Sequence, residues 1–382
     1  MNVDKFRKRI DTLLMKTGGK TFVTSKPEHV YYFSGFTGDY ALMIIGYKSN
    51  HIITTGMFEE QVYNEVDSSL FNIHVVNKRE INPLVVDILL ENESEEICIS
   101  AQDTTIGSFV SVIESAKDNK VFGVNKKLIS LRDDHFAVGD IKIYFSENYP
   151  LVVRAVKDKE EIEIIKKNLL LSDEAFLYTL RVIKPGMTEI EVAAEFEYYS
   201  RKKGAEGVSF PTIVASGSRS SIPHAIASNK VINNNEPIVI DFGIKLDRYC
   251  TDTTRTVFVG KPSDKFVETY KIVLDAMNEG IAMIKEGVKA SDVDSKVRGY
   301  LAKYGLDKYF LHGTGHGVGL EIHEIPTLNE ASNDVLGEGM VVTVEPGVYF
   351  KNEFGIRIEN MVLVKKNSAE VLTTLPTELL VI

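Results

Sequence analysis

Asp241 closes the apolar run Pro237-Ile-Val-Ile-Asp241, and Asp252 precedes the run Thr253-Thr-Arg-Thr-Val257. Read as two strands joined by a turn centred on Leu246-Asp247, the two acids stand directly opposed, with Cβ atoms roughly 4.5–5.5 Å apart. Carboxylates that close repel unless one is protonated or a cation lies between them. The arrangement returns about a hundred residues later. Val341-Val-Thr-Val-Glu345-Pro-Gly347 ends one strand with an acid, and Gly355-Ile-Arg-Ile-Glu359 opens its partner with another. Alternation puts Arg357 and Glu359 on one face and Ile356 and Ile358 on the other. An acid within Val/Ile-rich sequence is costly to bury alone. Arg357 can neutralise one of the four but not all. For either hairpin taken singly, incidental solvated acids or a plain buried ion pair remain alternatives.

Between the hairpins lies His312-Gly-Thr-Gly-His316-Gly-Val-Gly-Leu-Glu-Ile-His323-Glu324, with three of the chain's eight histidines within twelve residues. His224 follows Ser221-Ile-Pro. Glycine permits close backbone approach, and imidazole supplies a neutral nitrogen ligand or a proton carrier. Four carboxylates and a histidine match the needs of two first-row divalent ions that share bridging oxygens and acidify a water. No cysteine accompanies them, which argues against structural zinc and for Mn, Co or Zn in a catalytic role.

Positioning such residues requires a rigid frame, and the pattern predicts one. From Arg154 onward, a helix opened by the Asp158/Glu161 capping box runs to Ile183, and a second, opened by Thr188/Glu191, reaches Gly204. Helices then recur after Pro262, up to Ile284, and after Ser291 as the cap, up to Gly305. Each pair is followed by an acid-bearing hairpin. We read this as an internal duplication with helices outside and a sheet inside. Residues 1–153 read as a separate α/β domain. Phe6, Ile10, Leu13 and Leu14 mark one helical face, Ile81–Leu90 a second helix, and Thr21–Thr24, Ala41–Ile45, Ile52–Thr54, Ile73–Val76 and Ile97–Ser100 strands.

The 382 residues suffice for two domains with cores of their own. A net charge of −10 removes the basic surface that nucleic acid requires, and no apolar run is long enough for a membrane span. The two cysteines, Cys98 and Cys250, exclude a disulfide framework and suit a reducing cytoplasm. The charged stretch from Asp4 to Asp11 does not read as a secretory leader.

The order Asp241, Asp252, His316, Glu345, Glu359, with the HGTGHGVGLEIHE and VEPG strings, resembles the pita-bread metallopeptidases, peptidase family M24. Within them it is similar to the Xaa-Pro branch of prolidase and aminopeptidase P. His29-Val-Tyr-Tyr-Phe-Ser-Gly-Phe-Thr-Gly38 resembles the creatinase-like N-terminal domain of that branch. The resemblance implies a creatinase-like α/β domain over 1–153. It implies over 154–382 a pita-bread domain, with duplicated helices around a curved antiparallel sheet. It further implies that Asp241 chelates one ion, His316 and Glu345 the other, and that Asp252 and Glu359 bridge them. Glu345 would accept the proton of the attacking bridged hydroxide's parent water. His224 and His323 would contact the substrate, and His312 would line the pocket for the leaving proline. Thr254 and Arg357 would orient the carboxylates. Two divalent cations per chain (manganese first, cobalt or zinc as alternatives), proline-containing di- or oligopeptide substrates and a cytoplasmic homodimer complete what the resemblance implies. Creatinase-like amidinohydrolases and non-catalytic partner-binding members lack the full ligand set, and methionine aminopeptidases match only the second half. Some prolidases carry an arginine soon after the His-Glu pair, to hold the dipeptide's free carboxylate. Here the stretch reads His323-Glu-Ile-Pro-Thr327.

Overall fold

The fold is seen in a computed structural model that describes residues 3–99, 129–131, 136–138, 141–145 and 149–382. The chain forms two compact units, Met1–Arg154 and Ala155–Ile382.

In the first unit, helix α1 (Val3–Lys16) buries Phe6, Ile10 and Leu13. The segment resembling the creatinase-type motif forms helix α2 (Pro27–Ser34), which ends at Gly35 in the left-handed region at φ 81°. Helix α3 (Glu59–Glu65) is short, and α4 (Lys78–Glu91) opens with an Asn77/Glu80 capping box. The strands are β1 (Thr21–Thr24), β2 (Leu42–Ile45), β3 (Asn50–Thr54), β4 (Asn72–Val75), β5 (Glu96–Ile99), β6 (Ile129–Leu131), β7 (Phe136–Val138) and β8 (Ile141–Phe145). They form one mixed sheet in the order β4-β3-β2-β1-β5-β8-β7-β6. Val23, Ile44, Ile53, Ile97 and Ile99 pack there against Val85, Val86 and Leu89 of α4. The expected strand at Ile97–Ser100 stops at Ile99, and Ser100 lies outside the described residues. Helix α5 (Tyr149–Ala155) follows.

The second unit holds two helix pairs. Helix α6 (Lys159–Val182) begins at the Asp158/Glu161 capping box, and α7 (Glu189–Lys202) at the Thr188/Glu191 box. After them come β9 (Gly207–Val208), β10 (Ile213–Ser216), β11 (Glu236–Phe242), β12 (Ile244–Leu246), β13 (Tyr249–Cys250) and β14 (Thr253–Val259). Helices α8 (Asp264–Met283) and α9 (Ala290–Ala302) repeat the pair. Next are β15 (Gly315–Gly317), β16 (Glu324–Leu328), β17 (Val341–Val344), β18 (Gly347–Phe350), β19 (Phe354–Arg357), β20 (Asn360–Val364), β21 (Ala369–Val371) and β22 (Leu380–Val381). Each pair covers its own sheet. Phe176, Val192 and Phe196 pack on Ile238, Ile240 and Phe242, while Met277, Val293 and Val297 pack on Val342, Val344 and Val362. The apolar faces of the helices are thereby removed from water, at roughly 25 cal/mol per Å². This is the duplicated α+β frame expected of a pita-bread domain. No described helix is long and apolar enough to cross a membrane.

Two local expectations are corrected. Helix α9 begins at Ala290 with Lys289 as the capping residue, so Ser291 lies inside the first turn and caps nothing. The β11–β14 pairing is shifted by two residues, with Asp241 opposite Thr254 and Phe242 opposite Thr253. The cause is the turn. Asp247 and Arg248 both adopt left-handed backbone, φ 47° and 67°, as a two-residue type I′ hairpin turn requires. The centre therefore falls one residue later than the apolar pattern suggests, which moves every partner by two.

Candidate active site

Continuing the observed register places Asp252 opposite Gly243, diagonal to Asp241 on the same face of the sheet. In the second hairpin, Val344 pairs with Asn360 and Gly347 with Arg357. Both ladders share one register, so Glu345 and Glu359 face each other across the short break between them. His316 comes from the middle of β15, and its two flanking glycines explain themselves. A Cβ on Gly315 would collide with the Thr343 carbonyl, and one on Gly317 with the Ile325 carbonyl. Only bare backbone lets β15 lie flush between β16 and β17.

These elements bring together one oxygen each of Asp241, Asp252 and Glu359, all within 4.8 Å of one another. Beside this triad, His316 Nε2 lies 3.5 Å from Asp252 Oδ2 and 3.5 Å from Glu345 Oε1. The ring's other nitrogen, Nδ1, is 3.1 Å from the Gly317 carbonyl. A carbonyl only accepts, so Nδ1 carries the hydrogen and Nε2 turns a lone pair toward two carboxylates. Acceptor faces acceptor, which calls for a proton or a cation between them.

The charges say the same. Asp252 and Glu359 are buried, 5% and 1% exposed. Burial, then mutual repulsion, pushes the Asp252 carboxyl well above the usual range, with Glu359 as the largest neighbour. Burial followed by Glu345 and Asp241 does the same to Glu359. Glu345 is pushed up to about 8, chiefly by burial. His316 is held neutral, down to about 4, by burial and then by His323. Against four carboxylates, Arg357 donates to Asp241 Oδ2 at 2.6 Å and to Thr254 Oγ1 at 3.1 Å. Thr254 in turn donates to Glu359 Oε2 at 2.7 Å. Asp241 Oδ1 and Glu359 Oε1 are left buried with no hydrogen-bond partner. Orphaned oxygens in a site this crowded with negative charge fit divalent cations, which take oxygen ligands and offset the repulsion.

The profile of metallopeptidase family M24 matches residues 163–366, and that of the creatinase/prolidase N-terminal domain matches residues 7–133. The chain belongs to metallopeptidase family M24. It is 34% identical over its full length to a Bacillus subtilis relative, an uncharacterized peptidase named YqhT, all of which is covered. The Xaa-Pro dipeptidase of Bacillus anthracis is 33% identical with a TM-score of 0.88, all of both chains being covered. The X-Pro aminopeptidase of Thermotoga maritima is 36% identical with a TM-score of 0.83, over 96% of this chain and 98% of that one. As an M24 metallopeptidase, the chain is an enzyme that works with divalent metal ions.

The other residues singled out in the sequence surround this M24 centre. The His323 ring meets His316 edge-on at 4.4 Å between centroids, is solvent-exposed and feels both His224 and Asp241. His224 is exposed on its loop. His312 stands apart from the carboxylates. Its Nδ1 donates to the Gly313 carbonyl and its Nε2 accepts from Tyr349 Oη, each at 2.8 Å. Both nitrogens are engaged, and the ring packs edge-on against Phe310 at 5.0 Å between centroids.

Sequence reasoning missed four supports. Tyr349 links Arg357, which donates to its hydroxyl at 2.9 Å, to His312. Strand alternation from Glu345 through Gly347 to Tyr349 could have found it. The buried Arg255 donates to the carbonyls of Thr254 and Glu359, beside the carboxylate cluster. Asp294 of α9 accepts from Thr314 N–H and Oγ1 and from Arg298, which itself donates to the Phe310 and His312 carbonyls. Lys157 and Glu324 form an ion pair at 3.0 Å whose side chains are each 1% exposed. Lys157→Met would leave the Glu324 carboxylate buried without its cation, at a cost of about 3–5 kcal/mol. Urea midpoints at constant m-value measure this, and a loss under 1 kcal/mol would show that the pair is dispensable.

Proposed function

We propose that this M24 enzyme is a Xaa-Pro exopeptidase, releasing the N-terminal residue that precedes proline. The observation that carries the reading is the buried triad of Asp241, Asp252 and Glu359 with its two unpartnered oxygens. Asp241 would hold one ion, His316 and Glu345 the other, and Asp252 and Glu359 both, with manganese first among candidates and cobalt or zinc behind it. When bound, the ions acidify a water and polarise the scissile carbonyl. Glu345 orients the attacking water and takes its proton. His224 and His323, exposed beside the centre, contact the substrate and donate to the oxygen that gains charge. Arg357 and Thr254 fix the carboxylates. His312 presents its ring surface to the proline, a residue that lacks an N–H and stiffens the chain, so that it needs a dedicated pocket. We assign 1–153 to the N-terminal domain and 154–382 to the catalytic domain, in a cytoplasmic homodimer.

The stretch from Glu324 to Thr327 contains no arginine for a free carboxylate, which favours substrates that continue past proline. Full-length similarity to a named Xaa-Pro dipeptidase supports the shorter substrate. Hydrolysis of Xaa-Pro, Xaa-Pro-Yaa and Xaa-Ala-Yaa by manganese-, cobalt- and zinc-loaded protein decides between them. Cleavage of the tripeptide before proline marks the aminopeptidase, and cleavage of Xaa-Pro alone marks the dipeptidase. Fully loaded protein that cleaves neither would overturn the proposal.

A further inference from the structure

Glu189 is the first residue of α7 and is completely buried. A glutamate at that helical position normally faces water, where it favours the positive end of the helix dipole. Here the helix is already capped by Thr188 and Glu191, so its own stability does not call for an inward carboxylate. Glu189 instead reaches into the neck of the loop 216–228, which presents His224. Its Oε1 accepts from Ser216 N–H and from Ser216 Oγ, each at 2.8 Å. Its Oε2 accepts from Ser228 N–H at 3.1 Å, from Ser228 Oγ at 2.6 Å and from Arg219 Nε at 3.0 Å. Arg219 Nη2 extends the tie to the Ile226 carbonyl at 2.8 Å. One carboxylate therefore closes both ends of the loop and a point inside it. Nearer the tip, Ser220 Oγ accepts from Gly355 N–H, and the Pro223 carbonyl accepts from Arg357, each within 2.9 Å.

From this arrangement we infer that Glu189 is the positioning residue for His224, acting through the neck of its loop. The inference rests on the Xaa-Pro peptidase reading for the role of His224, but the clamp itself does not. Every group that faces the carboxylate is a donor. An amide in its place would turn its NH2 against a donor and open one end of the neck. A shift of about 1 Å in a group that touches substrate costs on the order of a hundredfold in rate.

The experiment compares Glu189→Gln, His224→Ala and the double variant in manganese-loaded protein. Three readouts accompany each: kcat and KM on Ala-Pro or Ala-Pro-Ala, manganese affinity by calorimetry, and hydrogen exchange over 216–228. Expected for Glu189→Gln are a kcat lowered about 10- to 100-fold, manganese affinity within about twofold of wild type, and faster exchange at Ser216 and Ser228. In the His224→Ala background, the same substitution should cost less than about twofold more, because its target is gone. An unchanged kcat and unchanged loop protection would overturn the inference. So would a full multiplicative loss in the double variant, or loss of manganese binding. Should Glu189→Gln fail to fold, Arg219→Met cuts the tie to Ile226 at a side chain that is 31% exposed, and the same three readouts apply. Wild-type protein inactive on every substrate would sink the peptidase reading alone. Exchange at 216–228 would still decide whether Glu189 holds the loop.

Discussion

Glu345→Gln is expected to leave the catalytic unit folded and to cut turnover on a Xaa-Pro substrate by about a thousandfold or more. Glu345 faces Glu359 in the continued hairpin register and lies 3.5 Å from His316 Nε2. Its carboxyl sits at about 8 in the metal-free chain, because burial outweighs the pull of Arg357. Held against the cation site, Glu345 is placed to take a proton from a water that the cations acidify. Glutamine keeps the shape and one ligating oxygen but cannot take the proton. The measurement is kcat beside metal content and unfolding midpoint, so that lost ligation, lost fold and lost proton acceptance separate. Near-wild-type turnover in metal-replete variant protein would remove Glu345 from the chemistry.

The second large effect concerns the cations. Asp252 and Glu359 hold protons well above the usual carboxyl range, and Glu345 does so up to about 8. At pH 7 an incoming divalent ion must displace protons from this cluster. Manganese binding is therefore expected to release about one proton or more per chain at pH 7. Its affinity should climb as pH rises toward 8 and level off above. The sign for stability follows from the same shifts. Above about 6.5 the histidines are neutral in both states, so from there to about 8 the raised carboxyls make the folded metal-free chain bind more protons than the unfolded chain, and stability declines as pH rises through that window. At lower pH His312 and His316, held down to about 3 and about 4, oppose the trend. Calorimetry in buffers of different ionisation enthalpy reads the protons directly, and chelation should abolish activity until metal is returned. Affinity indifferent to pH, with no proton released, would contradict this account of the site.

The gathering of these side chains was legible in the sequence because they sit at points of strong local pattern. Asp241 and Glu345 end β-branched runs, Glu359 follows an Ile-Arg-Ile alternation, and His316 is framed by glycines that only close strand packing explains. The helix starts at Asp158 and Thr188 were equally plain, since a capping box is a local signal. Register was not, because it depends on whether Leu246 or Arg248 shares the turn with Asp247, and the apolar pattern is silent on backbone handedness there. Nor was the frame around the carboxylates. Glu189 and Asp294 look like ordinary helix residues, and their partners, Ser216, Ser228 and Thr314, lie 20 to 39 positions away. Such long-range polar pairing leaves no periodicity to read.

The two acid-bearing hairpins belong to different halves of the duplicated unit, and the triad draws Asp241 and Asp252 from one and Glu359 from the other. An ion seated there is a rivet between repeats as well as a reagent. Drift of either half would dilute the ligand set below what any single ion accepts, so occupancy and the docking of the halves should rise and fall together. The seam where the two hairpins meet would then be closed by the same ions that serve the chemistry.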